Sequence, residues 1–264
     1  MRSSNPVFAR SAEFNGQQTG YADPSTWGTG GPTTTQPTAR MTIDSVVQKS
    51  AISIGLVIVV AFATWVMTPT VSQETAGTIM LLAMLGAGAA FILSLVNSFK
   101  KVISPALVLA FAAVEGVALG AISKYFDAAF GDGIVMNAVL GTFAAFVGTL
   151  AAYKFLNIQV SDKFRKFTIA AMFGMVGLGL MSLVLNMFGI QMGFFGFGTL
   201  GLLFSIVGLV LGVFMLILDF DFVEKGIAAG LPEGESWRAA FGLTVSLVWI
   251  YTNLLRILAI FSQD

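Results

Sequence analysis

"FTIAAMFGMVGLGLMSLVLNMFGIQMGFFGFGTLGLLFSIVGLVLGVFMLIL", Phe167–Leu218, runs for 52 residues without a charge. As a single α-helix it would be roughly 78 Å long, against a bilayer hydrocarbon core of about 30 Å. The run therefore holds two membrane spans and turns back once. "NMFGIQMGFFGFG" (186–198) supplies the glycines for that turn.

Charged residues divide the rest of the chain in the same way. Uncharged stretches place one span over Ser50–Gln73 and another over Thr75–Phe99. A third lies over Val102–Ser123, interrupted only by Glu115, and a fourth over Gly133–Tyr153. The long run gives spans five and six, and Trp237–Phe261 gives the seventh, with Ser236 as its N-cap after Pro232. The expected fold is an all-α membrane protein. Composition agrees: 56% of residues are apolar and 11% are charged, where a soluble domain carries about 25% charged. Mean hydropathy is +0.85.

Residues 1–45 differ in kind. "GQQTGYADPSTWGTGGPTTTQPTAR" is rich in Gly, Thr, Gln and Pro and has no apolar period, which predicts a disordered tail ahead of a transmembrane domain over 46–264. The tail lacks the basic-then-apolar pattern of a signal peptide and is expected to stay on the chain. Lysine and arginine set the orientation. Lys100, Lys101, Lys154, Lys163, Arg165, Lys166, Lys225 and Arg238 fall in alternate loops, and Lys124 is the only basic residue in the others. The N-terminus is thus expected in the cytoplasm and the C-terminus outside.

Several chemistries are excluded. The chain has no Cys and no His, which removes thiolates, iron–sulfur clusters, the usual general base and the commonest metal ligand. A bound metal would be a hard cation held by oxygen. Formal net charge is zero, so nucleic acid is not an expected partner. No cofactor is expected beyond a weakly held calcium ion, and no enzymatic activity. An aspartyl intramembrane protease needs two facing acids, and Glu115 and Asp219 are the only pair available, with no supporting motif.

Apart from Arg238 at the edge of span seven, three charged residues lie within the spans: Glu115, Asp219 and Arg256. A charge at the bilayer centre costs roughly 2.5–3.5 kcal/mol on insertion scales, so each needs a reason. Glu115 is either an ion ligand in a polar cavity or the partner of Arg256. Asp219 ends span six, where it lines a polar path or merely marks the inner boundary, unless "DFVEKGIAAG" (221–230) extends that helix inward to Gly230 and Pro232. Asp221 and Glu224 behind it are expected to face water, with Lys225 pairing to Asp221 one turn away. In span seven, Asn253 shares a helix face with Arg256, three residues on, and with Ser246, seven back. Small residues at helix-packing spacing recur in "LGAGAA" (85–90), "GVALG" (116–120) and "GLVLG" (208–212).

"MRSSNPVF", "AVEGVALGAISKYF", "GIVMNAVLGTFAAFVGTLAAYK", "LDFDFVEKG" and "ESWRAAFGLTVSLVWIYTNLLRIL" together resemble the Bax inhibitor family, also called the transmembrane Bax inhibitor motif family, in its bacterial form. The likeness covers most of the chain from span three onward. It implies a seven-transmembrane-helix bundle with the last helix near the centre, in the plasma membrane. It also implies a carboxylate on each of helices six and seven, a pair proposed to sense pH and gate a calcium leak. Asp219 matches the helix-six acid, Glu115 a family Glu and Arg256 the Arg after the helix-seven motif. Asn253, two residues after Tyr251, stands where the second acid is expected, which is a departure. The function implied is a calcium or cation leak with Asp219, Asn253 and Glu115 along the ion path, Asp219 and Glu115 being the metal-ligand candidates. Alternatively, the chain is a non-conducting regulator that binds a membrane protease or stress-response partner, for which the tail is the natural segment.

Overall fold

The computed structural model describes residues 39–131, 133–190 and 193–263. Seven long helices make up nearly all of it: α1 Ile43–Met67, α2 Ala76–Phe99, α3 Pro105–Phe130, α4 Ile134–Phe155, α5 Asp162–Met187, α6 Thr199–Ala228 and α7 Glu235–Phe261. Each is long and apolar enough to cross a bilayer. Among the described residues no strand forms; one isolated bridge joins Arg40 to Pro232. The turn expected within 186–198 is there, around a short 3₁₀ segment, Gly193–Phe195.

The tail expected over 1–45 lies outside the described residues as far as residue 38. Its last residues are packed structure, not a loose extension. The Met41 amide donates to the Leu231 carbonyl at 2.8 Å and the Glu233 amide to Ala39 at 2.7 Å, and the Met41 side chain is buried. Helix α1 then starts at Ile43, seven residues before the expected Ser50. Thr42 and Ser45 form a reciprocal capping box there. Lys49 does not interrupt the helix because it is compensated: its Nζ lies 2.8 Å from Glu233 Oε1 and 5.9 Å from the centre of the Trp237 ring. At its far end α1 stops at Met67, where Lys124 of α3 donates to the carbonyls of Trp65 (2.8 Å) and Thr68 (2.5 Å). A lysine at a helix C-terminus satisfies carbonyls that have no partner within the helix.

Helix α7 is the hub, packing on α1, α3, α4 and α6, while α2 lies on α3 and α5 on α6. Hydroxyl pairs pin it to its neighbours. Ser236 meets Ser45 at 2.6 Å and Thr244 meets Ser53 at 2.9 Å, both across to α1. Tyr251 meets Ser123 of α3 at 2.6 Å, and Phe241 packs edge-on against Phe111 with ring centres 5.1 Å apart. Ser236 is therefore a contact residue, not the N-cap; Gly234 holds that position.

The small-residue motifs sit where helices come closest. A methyl group built on Gly120 would lie 2.3 Å from the Ala61 carbonyl oxygen of α1, and one on Gly86 about 3.0 Å from the Ala118 backbone of α3. Backbone cannot yield as a flexible side chain can. By contrast, Gly88 faces open space. Gly120→Ala should therefore lower stability by about 1–3 kcal/mol, the usual cost of overpacking, and Gly88→Ala should leave it unchanged or raise it slightly. Thermal unfolding of the detergent-solubilised protein checks both.

Candidate functional site

Helices α6 and α7 run antiparallel, and their contacts fix a common register. Gly208 lies against Asn253, Gly212 against Trp249 and Ile250, and Asp219 against Gly242 and Ser246. Asp219 thus projects onto α7. Ser246 Oγ donates to its Oδ2 at 2.5 Å, and a methyl on Gly242 would come within 2.6 Å of its Oδ1. The carboxylate fits only because residue 242 has no side chain. Asp219 does not close its helix as expected: α6 continues nine residues to Ala228, a further 13.5 Å or so. Ser246 is close to the middle of the 27-residue α7, so this acid sits at mid-depth in the bundle.

Asn253 does not join it. Its contact on α6 is Gly208, eleven residues and roughly 16 Å along the helix from Asp219. Its amide donates to the Trp249 carbonyl at 2.8 Å. The two positions that the resemblance pairs are held apart by the register. With an amide at 253 and that separation, no two-carboxylate unit sharing one proton is assembled between them.

Arg256 and Glu115 are likewise not partners. Arg256 Nη2 donates to the carbonyls of Phe194 (3.3 Å) and Gly196 (3.4 Å), and its guanidinium carbon lies 5.3 Å from the Phe195 ring centre. Glu115 falls near the middle of α3, between Phe111, which meets Phe241, and Ser123, which meets Tyr251. Among the described residues four ion pairs form, none of them involving Glu115, Asp219 or Arg256. No cluster of three acidic side chains suited to a metal ion occurs among them either.

Asp221 reverses its expectation. It does not face water; it is 3% exposed. Arg165 of α5 reaches its Oδ2 at 2.6 Å and Lys225 its Oδ1 at 2.7 Å. The pairing with Lys225 is the one expected. Burial follows from helix geometry: two residues are about 200° apart around the axis. With Asp219 turned to α7, Asp221 is turned to α5. Glu224 is exposed and accepts from the Tyr153 hydroxyl of α4 at 2.6 Å. Arg165 carried no sequence signal beyond its charge.

A family model described as Bax inhibitor 1 like matches residues 5–263. The chain belongs to that family. No curated protein matches it. In this Bax inhibitor-like chain the acid at position 219 of α6 has a serine hydroxyl of α7, Ser246, as its neighbour.

The paired arrangement at Asp221 makes a specific prediction. Arg165→Gln or Lys225→Gln alone should cost under about 1 kcal/mol, since one cation remains and both are partly exposed. The double variant leaves a buried carboxylate unpaired and should cost about 3 kcal/mol. Adding Asp221→Asn to the double variant should recover much of that loss. Unfolding measured across the set reads this non-additivity.

Proposed function

We propose that the chain is a cation leak, passing calcium among other ions, with Asp219 as the residue on the ion path. The carrying observation is a carboxylate at mid-depth between two spanning helices, touched by a serine hydroxyl and seated over a glycine, with no basic side chain paired to it among the described residues. Ionisable groups at such depth are costly, and those that occur serve ion or proton paths more often than structure. Carboxylate and hydroxyl oxygens suit a hard cation. A single acid binds weakly, as conduction requires. Glu115, at similar depth on α3, is a second candidate along the path. In this reading the α2–α3 loop with Lys100 and Lys101 and the start of α5 with Lys163, Arg165 and Lys166 face the cytoplasm, the membrane is the plasma membrane, and neither catalysis nor a resident cofactor has a part.

Calcium uptake into liposomes holding a calcium-sensitive dye tests the reading. Asp219→Asn should slow flux at least tenfold. Gly242→Ala keeps the acid but displaces it, and should slow flux several-fold. Asn253→Asp should leave the effect of Asp219→Asn unchanged, because the two sites do not touch. Equal flux through the wild type and Asp219→Asn would overturn the proposal.

A further inference from the structure

A cavity of about 130 Å³ lies at the other end of the α6–α7 seam, closed on one side by Met175 of α5. Its polar wall is Thr252, Asn253 and Arg256; its apolar wall includes Phe195 and Phe204. Arg256 is five residues from the end of α7, roughly 7.5 Å, within reach of the headgroup layer for a long side chain.

Among the described residues the guanidinium there is incompletely used. It has five N–H donors in a planar fork. Only Nη2 finds acceptors among the described residues, two carbonyls at 3.3 and 3.4 Å, the long end of hydrogen bonding. The Phe195 ring lies against it and fixes its orientation. No acid among the described residues neutralises it. Thr252 directs its hydroxyl proton to its own helix, at the Val248 and Trp249 carbonyls, 3.0 Å each. The cavity thus presents positive charge beside an aromatic wall, with Nε and Nη1 of the guanidinium unpartnered among the described residues. A cavity of about 150 Å³ holds a molecule the size of benzene, so this one takes a single small oxyanion and not a nucleotide.

We propose that this cavity binds a phosphate oxyanion, either free or as the headgroup of a lipid in the leaflet at the C-terminal end of α7. Nε and Nη1, which have no acceptor among the described residues, can each donate a charge-assisted hydrogen bond to a phosphate oxygen. For a lipid, Met175, Phe195 and Phe204 offer surface to the glycerol and upper acyl carbons. The site is independent of ion passage, so it stands whether or not the chain conducts.

Trp249 lines the same cavity and serves as reporter. The full chain with Trp27, Trp65 and Trp237 replaced by Phe, in a neutral detergent, is titrated with inorganic phosphate, with a short-chain phosphatidylglycerol and with the matching diacylglycerol. A saturable change in Trp249 emission is expected with a phosphate-bearing probe and not with diacylglycerol. Saturation by the lipid alone identifies a headgroup; saturation by inorganic phosphate identifies a free anion. Arg256→Gln should weaken binding at least tenfold. Thr252→Leu, which fills the cavity and keeps the guanidinium, should weaken it comparably. The proposal is overturned if neither phosphate probe saturates in protein of native helical content, or if Arg256→Gln binds as tightly as its parent.

Discussion

Hydrocarbon supplies no hydrogen bonds, and that constraint orders this bundle. Polar side chains inside it turn first to their own helix: Thr142 donates to Ala138, Ser205 to Gly201, Thr244 to Ala240 and Asn253 to Trp249. Those with capacity left over reach a neighbouring helix. Four such reaches end on α7, from Ser45, Ser53, Ser123 and Asp219; others join α2 to α3, α3 to α1, α4 to α6 and α5 to α6. Since lipid tails are as apolar as leucine, helix association rests on close backbone approach and on these polar contacts. The centrality of α7 follows from the density of hydroxyl and amide groups along it.

The number and type of helices were legible because a 52-residue uncharged run admits one reading in a bilayer. Their ends were less so, for a single reason. Charges were taken as boundaries, and in several places they are interior, Lys124 of α3 and Arg165 of α5 among them. Lys49 lies inside α1 because Glu233 comes to meet it. Asp219 and Asp221 lie inside α6 because Ser246, Arg165 and Lys225 come to meet them. A charge ends a span only when nothing elsewhere in the chain compensates it, and partners as distant as Glu233 from Lys49, 184 residues, or Arg165 from Asp221, 56 residues, leave no local trace.

The site was legible to a similar degree. Asp219, Glu115, Asn253 and Arg256 stand out in the sequence as polar groups in greasy surroundings. Which of them meet depends on the relative slide of two antiparallel helices. The glycines of "GLVLG" set that slide by admitting Trp249, Ile250 and Asn253. Ser246 was visible as sharing a face with Asn253, but its role as the contact of Asp219 required the register. The acceptors for Arg256 are backbone carbonyls in a loop, and carbonyls are present at every residue, so no composition could announce them.

The pairing of the first helix with the last bears on how the protein is made. Ser45 waits for Ser236 and Ser53 for Thr244, each 191 residues downstream, and Lys49 waits for Glu233, 184 downstream. At synthesis rates of about 5–20 residues per second, the nascent chain carries an uncompensated lysine at the membrane edge for roughly ten to forty seconds. Insertion and assembly are thus separate events, and the bundle closes only after α7 has been made.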